Sequence, residues 1–166
     1  MSERGVDFDL EQIKAMIPHR HPFLLIDRVL NCIRDKSGTG VKYVSANEPF
    51  LRNVPPGGLA LPDVLVVEAM AQTAAVGAVY TFGGNASRKM LFLTGVKDAR
   101  FYHPVRPGDT LYLHMEKERS FGPNMRVRGR AQVEERLVAE ACLTALTIEV
   151  DGDFSVDGVS SGNRRG

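Results

Sequence analysis

Residues Val64 to Phe82 read VLVVEAMAQTAAVGAVYTF, an almost unbroken apolar run that restricts the fold more than any other stretch. Its length is close to that of a bilayer span. Glu68, Gln72 and Thr73 lie inside it, no basic flank follows until Arg88, and the chain has no second run of this kind. Those features argue against a membrane span and for a buried helix. Pro62 and Asp63 suit its first turn, Asp63 as a cap for free amides, and Gly83 and Gly84 close it. A helix apolar on all sides needs wrapping.

The flanking sequence supplies the wrapping. Asp9 and Gln12 form a capping box, with Leu10, Ile13 and Ile17 at helical spacing before Pro18. FLLIDRVL (Phe23 to Leu30) and GVKYVS (Gly40 to Ser45) read as strands around a turn at Lys36 to Gly38, followed by a Pro- and Gly-rich loop from Ala46 to Leu61. After the helix the period changes to two, in RKMLFLTGV, DARFYHPV, DTLYLHMEKE, MRVRGRAQVE and LVAEACLTALTIEV. Leu111, Leu113 and Met115 share one face; Arg126, Arg128 and Arg130 alternate with Val127, Gly129 and Ala131. The expectation is an α+β domain over residues 1–150, one long helix against an antiparallel sheet of six or seven strands. The polar tail, 151–166, is expected to be disordered.

A net charge of +1 disfavours nucleic-acid binding, which needs a dense basic face. Cys32 and Cys142 match no metal or redox spacing, and MSERGVDFDLEQ contains no apolar targeting segment. No metal site is expected, and the expected location is the cytoplasm.

IPHRHPFLLIDRVL, NEPF, PDVLVVEAMAQ and DARFYHPVRPGDTL together resemble the β-hydroxyacyl-acyl carrier protein dehydratase family of hotdog-fold proteins, from about Ile13 to Val150. The resemblance implies a sheet wrapped around the central helix, in a homodimer or a trimer of dimers. It implies a substrate acyl chain held on the phosphopantetheine arm of an acyl carrier protein, with no other cofactor. It also implies a site in which a histidine takes the C2 proton of a 3-hydroxyacyl thioester and a helix acid protonates the departing hydroxyl. Two groups of different proton affinity serve that chemistry. Glu68 stands at the acid position; burial is expected to keep it protonated, with Gln72 one turn later within hydrogen-bonding reach.

The histidine position departs from the family pattern. Fourteen residues before Glu68, where the family has GHFPG, this chain has Val54 in RNVPPGG, and valine cannot act as a base. Asp63 replaces the glycine whose amide is thought to polarise the thioester carbonyl, and Val64 follows it in the implied substrate site. His19, in PHR, reads as a fold-shaping residue; His21 holds a position usually aromatic in the family; His103 and His114 fall on later strands. Arg100, His103 and Arg106 form a basic cluster suited to docking an acidic carrier protein.

Three functions remain open. The first is a dehydratase (a hydro-lyase) acting weakly as a homomer. The second is a non-catalytic subunit, or one lending Glu68 to a His-bearing paralogue in a heterodimer. The third is an acyl thioesterase using Glu68.

Overall fold

A computed structural model describes residues 4–55, 57–83 and 89–149. Nine strands and two helices follow in the order β1 (Val6–Phe8), α1 (Leu10–Met16), β2 (Arg28–Ile33), β3 (Ser37–Tyr43), β4 (Arg52–Asn53), β5 (Leu59–Ala60), α2 (Asp63–Thr81), β6 (Lys89–Phe101), β7 (Thr110–Phe121), β8 (Asn124–Val133) and β9 (Arg136–Glu149). Seven of the strands form one antiparallel sheet, ordered β1-β2-β3-β7-β8-β9-β6, while β4 and β5 make a separate small hairpin. The fold is α+β, with α2 lying along the sheet. The expected tail falls outside the described residues.

Alternation places the core where the sequence indicates. Leu111, Leu113 and Met115 of β7 and Val127, Gly129 and Ala131 of β8 face α2, while Arg128 and Arg130 face solvent. The helix buries Val66, Ala69, Met70, Thr73 and Val76 at three- and four-residue spacing. The helix is long and apolar enough to cross a membrane, yet half of it is buried within this one chain as the fold's central helix. Its other side is only partly covered by the described residues: Val64 is largely exposed, and Val67, Ala71, Ala74 and Ala75 are half-buried against the core.

Several boundaries differ from the sequence reading, each for a local reason. The first long strand starts at Arg28 and not at Phe23, because the amides of Phe23 and Leu24 bond to Arg20 O and the amide of Leu25 is taken by Gln72. RKMLFLTGV and DARFYHPV are not two strands: Lys89 to Phe101 is continuous in β6, with a register shift near Asp98, whose φ is 53°. His103 therefore lies beyond the strand end. The loop 46–61 contains the β4–β5 hairpin, and β1 was too short to announce itself by alternation. Pro62, not Asp63, is the N-cap of α2, and no side chain caps it. Gly83, with φ 90°, follows the C-cap Phe82; Gly84 lies outside the described residues.

The NEPF stretch has a structural task as well. The Lys42 ammonium, 4% exposed, meets Glu48 Oε1 at 2.7 Å, so the glutamate neutralises a buried cation.

Helix and sheet approach most closely at Gly40 and Gly129, where an added Cβ would collide with the Thr73 hydroxyl and the Met70 sulfur. Thr73 has little freedom to retreat, since its hydroxyl donates to Ala69 O at 2.9 Å. Gly40→Ala is expected to destabilise the fold by about 1–3 kcal/mol, read as a lower urea midpoint. An unchanged midpoint would mean that α2 sits further from β3 than described.

Candidate active site

The site begins at the end of α1. Its last carbonyls would be left without partners, and Arg20 collects them: the guanidinium donates to Lys14 O, Ile17 O and His19 O at 3.0, 2.9 and 2.8 Å. That grip fixes the backbone at His19. The following turn is pinned to α2 by one side chain. Gln72, 1% exposed, accepts from Leu25 N at 2.9 Å and donates from Nε2 to Phe23 O at 2.7 Å and to Glu68 Oε1 at 2.9 Å. Both amide hydrogens and the carbonyl are thereby used.

His19 thus comes to the helix carboxylate, with Nε2 at 3.4 Å from Glu68 Oε1. The sequence reading assigned His19 to fold-shaping and brought it to no site residue. Forty-nine positions separate the two, and no periodicity spans that distance. The available signal was polar residues flanking an apolar strand-like run, PHR before FLLI, opposite a helix with two polar side chains. The expectation that burial keeps Glu68 protonated is also corrected. The hydrogen bond from His19 is the largest influence and, aided by Gln72, outweighs desolvation, so the carboxyl pKa lies below its ordinary value of 4.5. Glu68 is an ionised carboxylate at neutral pH.

The pair opens onto apolar space. His19, Glu68 and Gln72 line a pocket of about 140 Å³ whose other walls include Ala71, Ala75, Leu91, Leu143 and Ala145. A larger cavity of about 390 Å³ shares Ala74, Met125 and Val127 with it and runs along α2 towards Phe82, its far walls mixing Ala78 and Met115 with Asp35, Lys36, Lys89 and Lys117. A carboxylate at one end and methyl and methylene groups beyond it suit a ligand with a polar reacting head and a hydrocarbon tail.

The other sequence candidates lie elsewhere in the single chain. Val54 sits in the β4–β5 turn, its amide bonded to Gly58 O at 3.1 Å and its carbonyl to Gly57 N at 2.8 Å, and it does not line the Glu68 pocket. Asp63 and Val64 are exposed at the start of α2, also outside that pocket; partial desolvation raises the Asp63 carboxyl pKa. Within the proposed basic cluster, Arg100 pairs with Glu140 at 3.4 Å, Arg106 donates to Leu59 O at 3.3 Å, and His103 is exposed. His21 is exposed, and His114 Nδ1 meets the Thr39 hydroxyl at 3.1 Å on the outer face of β7. Among the described residues, no group of three or more His, Cys, Asp or Glu is placed to hold a metal ion.

Replacing Gln72 by Ala would leave Leu25 N and Phe23 O without their partner and free the 19–25 turn. The expected cost is about 2–4 kcal/mol in denaturant unfolding. A loss below about 1 kcal/mol would mean that water or a neighbour replaces the amide.

Comparison with known proteins agrees with this fold. Residues 17–142 match the FabA-like domain family. The 3-hydroxyacyl-[acyl-carrier-protein] dehydratase FabZ of Rhodospirillum rubrum is 46% identical over 141 residues, covering 85% of this chain and 88% of the relative. The protein of the same name from Paramagnetospirillum magneticum is 43% identical over 148 residues, covering 89% and 92%. Among solved structures, the dehydratase heterocomplex ApeI:P from Xenorhabdus doucetiae superposes with a TM-score of 0.69 at 20% identity, covering 82% of this chain and 90% of that one. A thioesterase from Pseudomonas aeruginosa, solved as a mutant, superposes with a TM-score of 0.65 at 16% identity, covering 90% and 100%. The shared fold, the helix carrying Glu68 and these identities over most of the chain lead to one conclusion: the chain belongs to the FabA-like, 3-hydroxyacyl-acyl carrier protein dehydratase family of hotdog proteins.

Proposed function

We propose that the chain binds and acts on 3-hydroxyacyl thioesters carried on the phosphopantetheine arm of an acyl carrier protein in the cytoplasm, within a dimer to which it contributes Glu68. The observation that carries this reading is the Glu68 carboxylate, ionised and held by Gln72 and His19, at the head of an apolar cavity. The names of its relatives supply the substrate class. Arg106 and His103, neither paired with a carboxylate among the described residues, are the part of the basic cluster suited to docking an acidic carrier.

Two features support an assembly of more than one chain. Strand β6 is an edge strand of the sheet, pairing only with β9 among the described residues, and Phe92, Leu93 and Val96 on it are 44%, 45% and 41% exposed. A long apolar edge of this kind needs a cover. The partly covered side of α2, with Val64 exposed at its start, is the second feature.

Dehydration needs a group to take the C2 proton and another to protonate the leaving hydroxyl. With Val54 at the position the family gives to its histidine, the homomer is expected to be a slow dehydratase. Losing one general base typically costs about 10²- to 10⁴-fold in rate. The heterodimer reading follows from the same residues. Paired with a His-bearing paralogue, the chain would complete one site with Glu68, while the site lined by Val54 would lack its base.

Turnover of 3-hydroxyacyl-carrier protein by the purified homomer, against a His-bearing relative as control, tests this. Val54→His is expected to raise the homomer's rate. Glu68→Gln is expected to abolish activity in a mixed dimer whose partner has lost its own helix acid. A homomer already as fast as the control, or indifference of both assemblies to Glu68→Gln, would contradict the reading.

A further inference from the structure

We propose that His19 and Glu68 form an acid–base couple within one chain, Glu68 taking the C2 proton of the bound thioester and His19 giving its Nε2 proton to the departing 3-hydroxyl. The proposal rests on the dehydratase reading above and accounts for whatever turnover the homomer achieves without a histidine at position 54.

Three observations lead to it. First, both side chains line the same pocket, and each is about 30% exposed on its side-chain surface, so each is accessible to a ligand there. Second, their reacting atoms stand 3.4 Å apart, side by side. In a syn elimination the C2 hydrogen and the C3 oxygen lie on one side of the carbon chain, and two adjacent groups suffice. Third, the surroundings of each group favour the roles opposite to those the family pattern suggests. A histidine that acts as a base usually has an acceptor behind its far nitrogen to stabilise the imidazolium it becomes. His19 Nδ1 is buried and has no hydrogen-bond partner among the described residues; the carboxylate it meets is on the Nε2 side, facing the pocket. That arrangement does not support His19 as the base. Glu68 is in turn an ionised carboxylate, a group able to accept one.

The protons balance. The step requires a carboxylate at Glu68 and protons on both ring nitrogens of His19, so that the ring is left neutral. The C2–H bond breaks first, its proton going to Glu68 and its electron pair into the thioester enolate; the enolate pair then forms the C2–C3 double bond as the C3–O bond breaks, the hydroxyl taking the Nε2 proton and leaving as water. Glu68 then carries a proton that His19 lacks, and transfer across the 3.4 Å contact restores the start. No oxidant, metal or second base is required. Gln72 keeps the carboxylate in place throughout, since its bond to Glu68 Oε1 needs no proton from the cycle.

His19→Gln is the informative substitution: the glutamine amide can still donate to Glu68 from the Nε2 side but cannot release a proton. The probes are 3-hydroxydecanoyl-pantetheine for elimination and the same compound in deuterated water for exchange at C2. For the homomer, His19→Gln is expected to lower kcat for elimination about 100-fold or more with little change in KM. Exchange at C2 should persist near the wild-type rate, whereas Glu68→Gln should abolish both exchange and elimination. Elimination by His19→Gln at the wild-type rate overturns the proposal. So does equal loss of exchange and elimination, which would make His19 a positioning residue. A wild-type homomer that binds the thioester without eliminating water, while a mixed dimer does eliminate it, overturns the couple and leaves the functional reading intact. Failure of both assemblies to bind or eliminate overturns the reading and the couple together.

Discussion

One buried amide joins the parts of this molecule on which its chemistry depends. Gln72 lies on the central helix, beneath the turn that follows the first helix, and beside the single carboxylate of the apolar run. A carboxamide at 1% exposure is costly unless all its bonds are made, and here they are. The same three bonds hold the 19–25 turn down, orient Glu68, and close the backbone account of a stretch that would otherwise have continued as strand. Arg20 completes the arrangement from the other side by tying the end of the first helix to His19 O. The site is therefore assembled by side-chain to backbone bonds between segments far apart in sequence.

That construction explains what was legible beforehand and what was not. The long helix, the antiparallel sheet and the inward faces of β7 and β8 follow from periodicity, a local property that each segment declares by itself. The four motifs gave the family for the same reason, and placed Glu68 and Gln72 one helical turn apart. Contacts between distant segments leave no periodic trace. His19 reaches Glu68 only because Arg20 and Gln72 turn the chain back, so the sequence alone left it a fold-shaping residue. The protonation of Glu68 was misjudged on the same account. Burial was visible in the apolar neighbours, while the imidazole that opposes it was not. Boundaries failed where a side chain took over a backbone bond, as at Phe23 to Leu25, or where one bulged residue, Asp98, hid the continuity of β6.

The charge state of Glu68 bears on what kind of catalyst such a chain can be. A carboxylate buried among methyl groups alone would be pushed towards the neutral acid and could only donate. Here the hydrogen bond from His19 reverses the direction and favours the carboxylate. Val54 cannot titrate, so among the described residues lining the Glu68 pocket the titratable groups are His19 and Glu68.

The charge on Glu68 can be read directly. Labelling the glutamate side chains with carbon-13 and following the Glu68 carboxyl by NMR through an acid titration gives its midpoint in the folded protein. The structure predicts a midpoint below the ordinary 4.5, moving upward when His19 is replaced by Ala, because the opposing desolvation then acts with only Gln72 against it. A midpoint above 4.5 in the native chain, unmoved by loss of His19, would contradict the account: Glu68 would then be a buried neutral acid that does not engage the histidine.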